Sequence, residues 1–202
     1  MLQPRESDGQ ESRKALRVAV EVPGFGAVDV LVTHVTFVDM EQCNSFVQLL
    51  DAMNKAPAGS PQILLGDLNV YFDFEWPVEL LTRRLDSFSI SPHNPCRQRF
   101  QEILEKEPSV AASSGSFSDA WKVFHTPSDS SGNTFTNFYD HRLEDPSRPD
   151  RILFRSSRDS RALITVCETQ IFGEESFDYG DTKMFISDHR GLLTRFALTK
   201  AP

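Results

Sequence analysis

Cysteine is scarce in this chain, with three in 202 residues (Cys43, Cys96, Cys167), far apart and odd in number. That spacing fits neither a disulfide framework nor a zinc site built from paired close cysteines, so a reducing, intracellular setting (cytoplasmic or nuclear) is expected. Basic residues are also in short supply. Twenty-one Lys and Arg stand against 29 Asp and Glu, a net charge of −8. Tight, sequence-blind binding of nucleic acid needs several cationic phosphate contacts, and this balance disfavours it, although a local basic groove is compatible with it. No run approaches the ~18 apolar residues of a membrane span, and the polar start MLQPRESDGQESRKAL has no apolar signal-like core. No repeat of 20–50 residues is visible. Tryptophan and tyrosine are few, but 16 Phe are present and 39% of residues are hydrophobic, enough to bury a real core.

The pattern along the chain gives one domain, residues 15–202, behind a polar tail, 1–14. Leu16 to Val22 alternates, Pro23-Gly24-Phe25-Gly26 turns, and Val28 to Val38 is β-branched, which predicts a hairpin. Apolar residues recur at helical spacing from Glu41 to Lys55, and Gln62 to Leu65 is a short buried strand ending at Gly66. Strand, helix and strand of these lengths form a βαβ unit, so the class is α/β. Further helices are expected over 77–86 and 97–107, with a short one starting near Ser118, and strands over 152–154, 162–172 and 192–198. The expected core is Val20, Val30, Val32, Leu49, Leu50, Ile63, Leu64, Leu65, Ile152, Phe154, Leu192 and Phe196.

Residues able to do chemistry stand where the expected strands end or begin. His34 follows Thr33 in the second strand, and Asp67 and Asn69 follow the Ile-Leu-Leu strand. Asp150 precedes the strand at 152–154, and Asp188 and His189 precede the last one. Ligands of open α/β sheets bind in crevices at strand ends, so these side chains can converge. Carboxylates bind hard divalent cations, Asn and His can touch a phosphate oxygen, and a His with an Asp partner exchanges protons. Together they suit attack of water on a phosphoryl group. Each residue also has an ordinary structural reading: Gly66-Asp67 as a turn, His34 as a core histidine, Asp150 as a loop charge beside an Arg, Asp188 as a cap. Phe72, Phe74 and Trp76 could meet a base or lipid, or staple the helix that begins at Pro77.

Taken together, LVTH at 31–34, ILLGDLN at 63–69, RPDRILFR at 148–155 and SDHRGLL at 187–193 resemble the metal-dependent endonuclease/exonuclease/phosphatase superfamily. The resemblance runs from about residue 16 to the end. It implies a DNase I-like fold, a two-sheet β-sandwich flanked by helices. It implies a hydrolase using magnesium, with manganese as the alternative, on a phosphodiester or phosphomonoester: a nucleic-acid end, a nucleotide or a phospholipid headgroup. Asp67 would orient or deprotonate the attacking water. Asn69, His34 and His189 would bind the substrate phosphate, His189 also moving a proton with Asp150 fixing its tautomer, and Asp188 would belong to the metal site. Members usually begin with a strand carrying Asn, then a strand and helix carrying the principal metal-binding Glu. Gln10-Glu11 precedes a hairpin rather than a helix and is not that ligand. The resemblance therefore implies a domain lacking its N-terminal strands, with an exposed apolar face where they would dock. The alternative is a non-catalytic relative or inactive fragment serving as an interaction module.

Overall fold

A computed structural model of the chain describes residues 13–72, 75–82, 96, 98, 102, 105, 116–125, 132–136 and 147–200. The tail with Gln10-Glu11, Phe74, most of the helix expected at 97–107, and the end of the helix expected at 77–86 lie outside the described residues.

Five strands form the main sheet: β1 (Ala15–Val22), β2 (Gly26–His34), β3 (Gln62–Asp67), β4 (Ser118–Asp119) and β5 (Asp150–Arg155), in the order β1-β2-β3-β5-β4. The hairpin β1–β2 is antiparallel, and β2 is parallel to β3 through helix α1 (Asp39–Asn54), which is the expected βαβ unit. β3 and β5 then run antiparallel. Helix α2 (Trp76–Thr82) follows β3, and the short helix α3 (Ala120–Phe124) follows β4 directly. A second sheet pairs β6 (Ala162–Phe172) with β9 (Gly191–Lys200), and between them lies a small hairpin, β7 (Ser176–Tyr179) and β8 (Thr182–Phe185). Nothing in the sequence pattern predicted that hairpin, because its strands are four residues long and exposed throughout or nearly so.

The central strands read as continuous apolar runs because both faces of the sheet are covered. Leu31, Leu64 and Leu153 stand in register on one face and pack against Phe46, Leu49, Leu50 and Met53 of α1 and against Val78 and Leu81 of α2. The opposite face carries Ile63, Ile152 and Phe154, which meet Ile164, Val166, Phe196 and Leu198 of the second sheet. The result is a mixed α/β sandwich, helix on sheet on sheet, as expected.

Two strands of cover do not reach the far side of the five-stranded sheet. Leu16, Val18, Val20 and Val32 share the inner face over β1 and β2 and are exposed, Leu16 by 64%. This corrects the expectation that Val20 and Val32 are core residues; their alternation is correct, but no described element packs over them. Val30, Ile63, Leu65, Ile152, Leu192 and Phe196 are half-buried, while Leu49, Leu50, Leu64 and Phe154 are buried as expected.

Two of the cysteines that stand far apart in sequence are neighbours in space. Cys43, on the buried face of α1, lies against Cys96, their Cα atoms 5.8 Å apart across 53 residues of sequence. Distance along the chain concealed a spatial neighbour. Cys167 is free and exposed.

Gly66 is the tightest point of the sheet. Its φ of +133° belongs to backbone that side chains rarely adopt, and a methyl there would run into the Thr33 carbonyl of β2. Gly66→Ala combines strain with collision, and we expect a loss of about 2 kcal/mol or more in urea or thermal unfolding. Wild-type stability in that variant would show that the β2–β3 approach is looser than described.

Candidate active site

Strand register assembles the polar centre. His34 of β2 pairs with Asp67 of β3, and Asp67 pairs with Asp150 of β5, so three polar residues lie side by side at one end of the sheet. The His34 Nε2 is 3.4 Å from Asp67 Oδ2, and the half-buried Arg13 places its Nη1 2.8 and 3.1 Å from the two ring nitrogens of His34.

Beyond Asp67 the chain turns sharply. The Asn69 amide N–H donates to Asp67 Oδ1 at 2.8 Å, and Asn69 adopts φ +49°, a region Asn tolerates better than most residues. Its side-chain Nδ2 donates to the Val35 carbonyl at 2.7 Å, and Gln42 of α1 donates to the Asn69 carbonyl at 2.9 Å. The loop is thus tied to the end of β2 and to α1. Asn69 is half-buried beside the centre, with part of its donor capacity used by the fold.

His189 arrives from the second sheet's side of the molecule. Its Nδ1 is 2.7 Å from Asp150 Oδ2. Residues 132–136 bring the two together. Phe135 bridges both Ser147 and His189 through its backbone, the Asp150 N–H donates to Thr134 Oγ1, and Thr136 donates its N–H and hydroxyl to the Asp188 carbonyl. The Phe135 ring stands edge-on between Tyr71 (6.0 Å) and the His189 imidazole (5.1 Å).

Asp67, Asp150 and His189 form the one grouping among the described residues that could hold a metal ion, with ligand atoms within 4.8 Å of one another. Asp188 is not in that grouping. Its exposed carboxylate lies 3.5 Å from the Ser187 hydroxyl. The structure therefore brings His34, Asp67, Asn69, Asp150 and His189 to one place, and sets Asp188 beside them. Trp76 packs edge-on against the core residue Phe46, the stapling role, while Phe72 is exposed.

The charges explain what the arrangement can do. Burial pushes the Asp67 carboxyl above its ordinary value; the Asn69 N–H opposes this and the neighbouring Asp150 adds to it. His189 is raised chiefly by its hydrogen bond to Asp150, against the opposing effect of burial. An uplifted carboxylate accepts a proton from water more readily, and a carboxylate-bound imidazole stays protonated to higher pH. The arrangement can thus offer a proton acceptor and a proton donor side by side. A hard cation fits the same residues, because the oxygens of Asp67 and Asp150 face each other at the cost of repulsion that a positive ion relieves.

Sequence reasoning missed the buried support behind Asp150. Asp119 at the start of α3 binds both Arg148 and Arg151. In the sequence these two arginines look like ordinary loop charges beside Asp150; their opposite charges in RPDR and SDAW lie about 30 residues apart, a distance no periodicity can bridge.

Residues 6–189 match the Endonuclease/Exonuclease/phosphatase family. No curated protein is similar enough in sequence to count as a match. Among solved structures, an endonuclease/exonuclease/phosphatase from Beutenbergia cavernae DSM 12333 is similar at 22% identity and TM-score 0.54, over 94% of this chain and 40% of that one. TDP2 from D. rerio, solved with a single-strand DNA product, is similar at 18% identity and TM-score 0.57, over 92% and 62%. A functionally unknown conserved protein from Enterococcus faecalis V583 gives 19% identity and TM-score 0.54, over 91% and 55%. The chain spans between 40% and 62% of the length of these three structures, and at such identities the likeness is one of fold. With the family match covering most of the sequence, the chain belongs to the Endonuclease/Exonuclease/phosphatase family.

Proposed function

We propose that the chain carries the catalytic centre of a divalent-metal-dependent phosphoesterase, hydrolysing a phosphodiester or phosphomonoester with an activated water. The observation that carries this reading is the row His34–Asp67–Asp150 closed by the 2.7 Å contact of His189 with Asp150. Asp67, uplifted by burial, takes the proton of the attacking water or orients it. Asp150 accepts from His189 Nδ1, which leaves Nε2 directed away from the carboxylate to donate to a phosphate oxygen or leaving group. His34 and Asn69 contribute further contacts to the phosphate. Asp67 with Asp150 would hold the metal, magnesium or manganese; the family resemblance assigns Asp188, next in sequence to His189, to the same metal site. When bound, the cation supplies positive charge against the phosphoryl oxygens. The charge logic is general: a phosphate ester is anionic, so the transition state needs donors and cations aimed at it.

Within this class, a nucleic-acid end is the substrate to test first, because a fold neighbour was solved with a DNA product. The net charge of −8 favours short or small substrates over long duplexes. Nucleotides and phospholipid headgroups complete the test set. No helix among the described residues is long and apolar enough to cross a membrane.

Turnover of bis-p-nitrophenyl phosphate and of a 5′-modified oligonucleotide should appear with magnesium and vanish with a chelator. His189→Ala should lower kcat by on the order of 10²–10⁴ while KM stays within a few-fold, because a positioned acid acts in the transition state rather than in binding. Near-normal turnover in His189→Ala would remove this role from His189.

The Asp150 contact has its own pH signature. Its contribution to stability through His189 is fully present below the ordinary imidazole value of 6.5 and is lost as pH rises through the raised folded-state value. Asp150→Asn should therefore lower the His189 titration midpoint in an NMR experiment and should destabilise the fold more at pH 5.5 than at pH 9. An unmoved midpoint would mean that Asp150 does not govern His189.

A further inference from the structure

Behind the site lies a buried carboxylate with an unusual number of partners. Asp119 accepts from Arg148 through Nη1 on Oδ1 and Nη2 on Oδ2, both at 2.8 Å, and from Arg151 Nη1 on Oδ2 at 3.1 Å. It also accepts from the Trp121 and Lys122 N–H groups as the cap of α3. All three charged side chains are buried, that of Arg151 completely. Burial costs the carboxylate its hydration, and the two guanidinium groups more than repay it, holding the Asp119 acid below its ordinary value. A buried ion pair of this kind is weak support for stability, since apolar residues of the same volume often serve a fold as well. What a two-pronged Arg–carboxylate pair supplies in addition is direction.

The direction is toward the site. Arg148 and Arg151 bracket Asp150, two residues before it and one after. Arg151 Nη2 also donates to the Val70 carbonyl at 3.4 Å, just past Asn69. Two backbone bonds lie alongside this link, from the Leu68 N–H to the Pro149 carbonyl (2.9 Å) and from the Arg148 N–H to the Tyr71 carbonyl (3.0 Å). A second route leaves α3 through Trp121, whose indole lies so close over Gly132 that any side chain there would collide with it. Two residues on, Thr134 accepts the Asp150 N–H.

We propose that Asp119 is the positioning residue of the site: through Arg148 and Arg151 its carboxylate fixes the segment that aims Asp150 at His189 and ties that segment to the Asp67–Asn69 loop. Asp119 touches none of the residues proposed to meet substrate, and acts only through the two arginines. The proposal rests on the phosphoesterase reading for its functional meaning, but the geometry it asserts can be tested apart from that reading.

The test uses the full chain and two variants. Asp119→Asn removes the charge and leaves two buried arginines without it; it is read where an amide fingerprint spectrum shows it folded, and it should then lose the wild-type His189 tautomer, a folded Asp119→Asn that keeps it overturning the proposal. Arg151→Met removes the link to Val70 while Asp119 keeps its paired contact with Arg148, and an amide fingerprint spectrum establishes that it is folded. In alkaline solution, where the imidazole is neutral, the ring nitrogen signals of wild-type His189 should show the proton on Nδ1, facing Asp150. In folded Arg151→Met they should show a mixture of tautomers. Inorganic phosphate should shift the Asn69 and His189 signals of the wild type, and its affinity should fall on the order of 10–100-fold in the variant, the cost that losing an outer partner carries at metal sites. A folded Arg151→Met with the wild-type tautomer and phosphate affinity would overturn the proposal, as would a wild type with its proton on Nε2. A wild type indifferent to phosphate would instead count against the phosphoesterase reading, and the tautomer comparison would then decide the positioning role alone.

Discussion

Lateral register between β2, β3 and β5 is the constraint on which the site depends. Backbone hydrogen bonding places His34 opposite Asp67 and Asp67 opposite Asp150. A slip of one residue in either pairing would send these side chains to the opposite face of the sheet. The register is in turn fixed by packing. Leu31, Leu64 and Leu153 align on the helical face while Ile63 and Phe154 meet the second sheet, so any slip would expose leucines on one side and bury polar groups on the other. Gly66, closely opposed to Thr33 just before the site, permits the two parallel strands to approach without a side chain between them. The apolar core thus sets polar geometry that the polar residues could not hold alone.

Two kinds of buried charge coexist near one another and are treated differently. Asp119 is fully compensated, with two guanidinium groups and two backbone N–H groups on its oxygens, and stays ionised. Asp67 is only partly compensated, with one backbone N–H, a neighbouring imidazole at 3.4 Å and a repelling carboxylate in Asp150. A charge satisfied on every side is inert, whereas one left short of partners binds a proton or a cation readily. The place where the fold leaves its charge unsatisfied is the place where a ligand gains most by binding.

Much of this was legible in the sequence because the informative residues sit next to strong local signals. Asp67 and Asn69 follow an apolar run that could only be a buried strand, and Asp150 opens another. The βαβ unit was readable from the helical spacing of Phe46, Leu49, Leu50 and Met53 between two strands. The pairing of Asp150 with His189 came from the family resemblance, and the distance of 2.7 Å agrees with it. The rest was hidden for physical reasons. Cys43 and Cys96 meet only because α1 folds back over the sheet, and the Asp119–Arg148–Arg151 cluster joins segments with no shared periodicity. Burial of Val20 and Val32 was misjudged because alternation reports which face a residue occupies, not whether anything covers that face.

That uncovered face bears on how the two halves of the structure communicate. The second sheet touches the first chiefly over β3 and β5, through Ile63, Ile152, Phe154, Ile164, Val166, Phe196 and Leu198. His189 lies just before β9, so its place relative to Asp150 depends on this contact and on the short segment of residues 132–136 stitched between them. Asp67 and His34 need neither, being set by strands that hydrogen-bond directly. The His34 and Asp67 side of the site is therefore built into one sheet, while His189 is delivered across the interface between two. An interface of apolar side chains resists separation but specifies direction poorly, whereas hydrogen bonds specify direction well. This is why the polar ties of Thr134, Thr136 and Asp150 are concentrated at the seam, where packing alone would leave the imidazole free to turn.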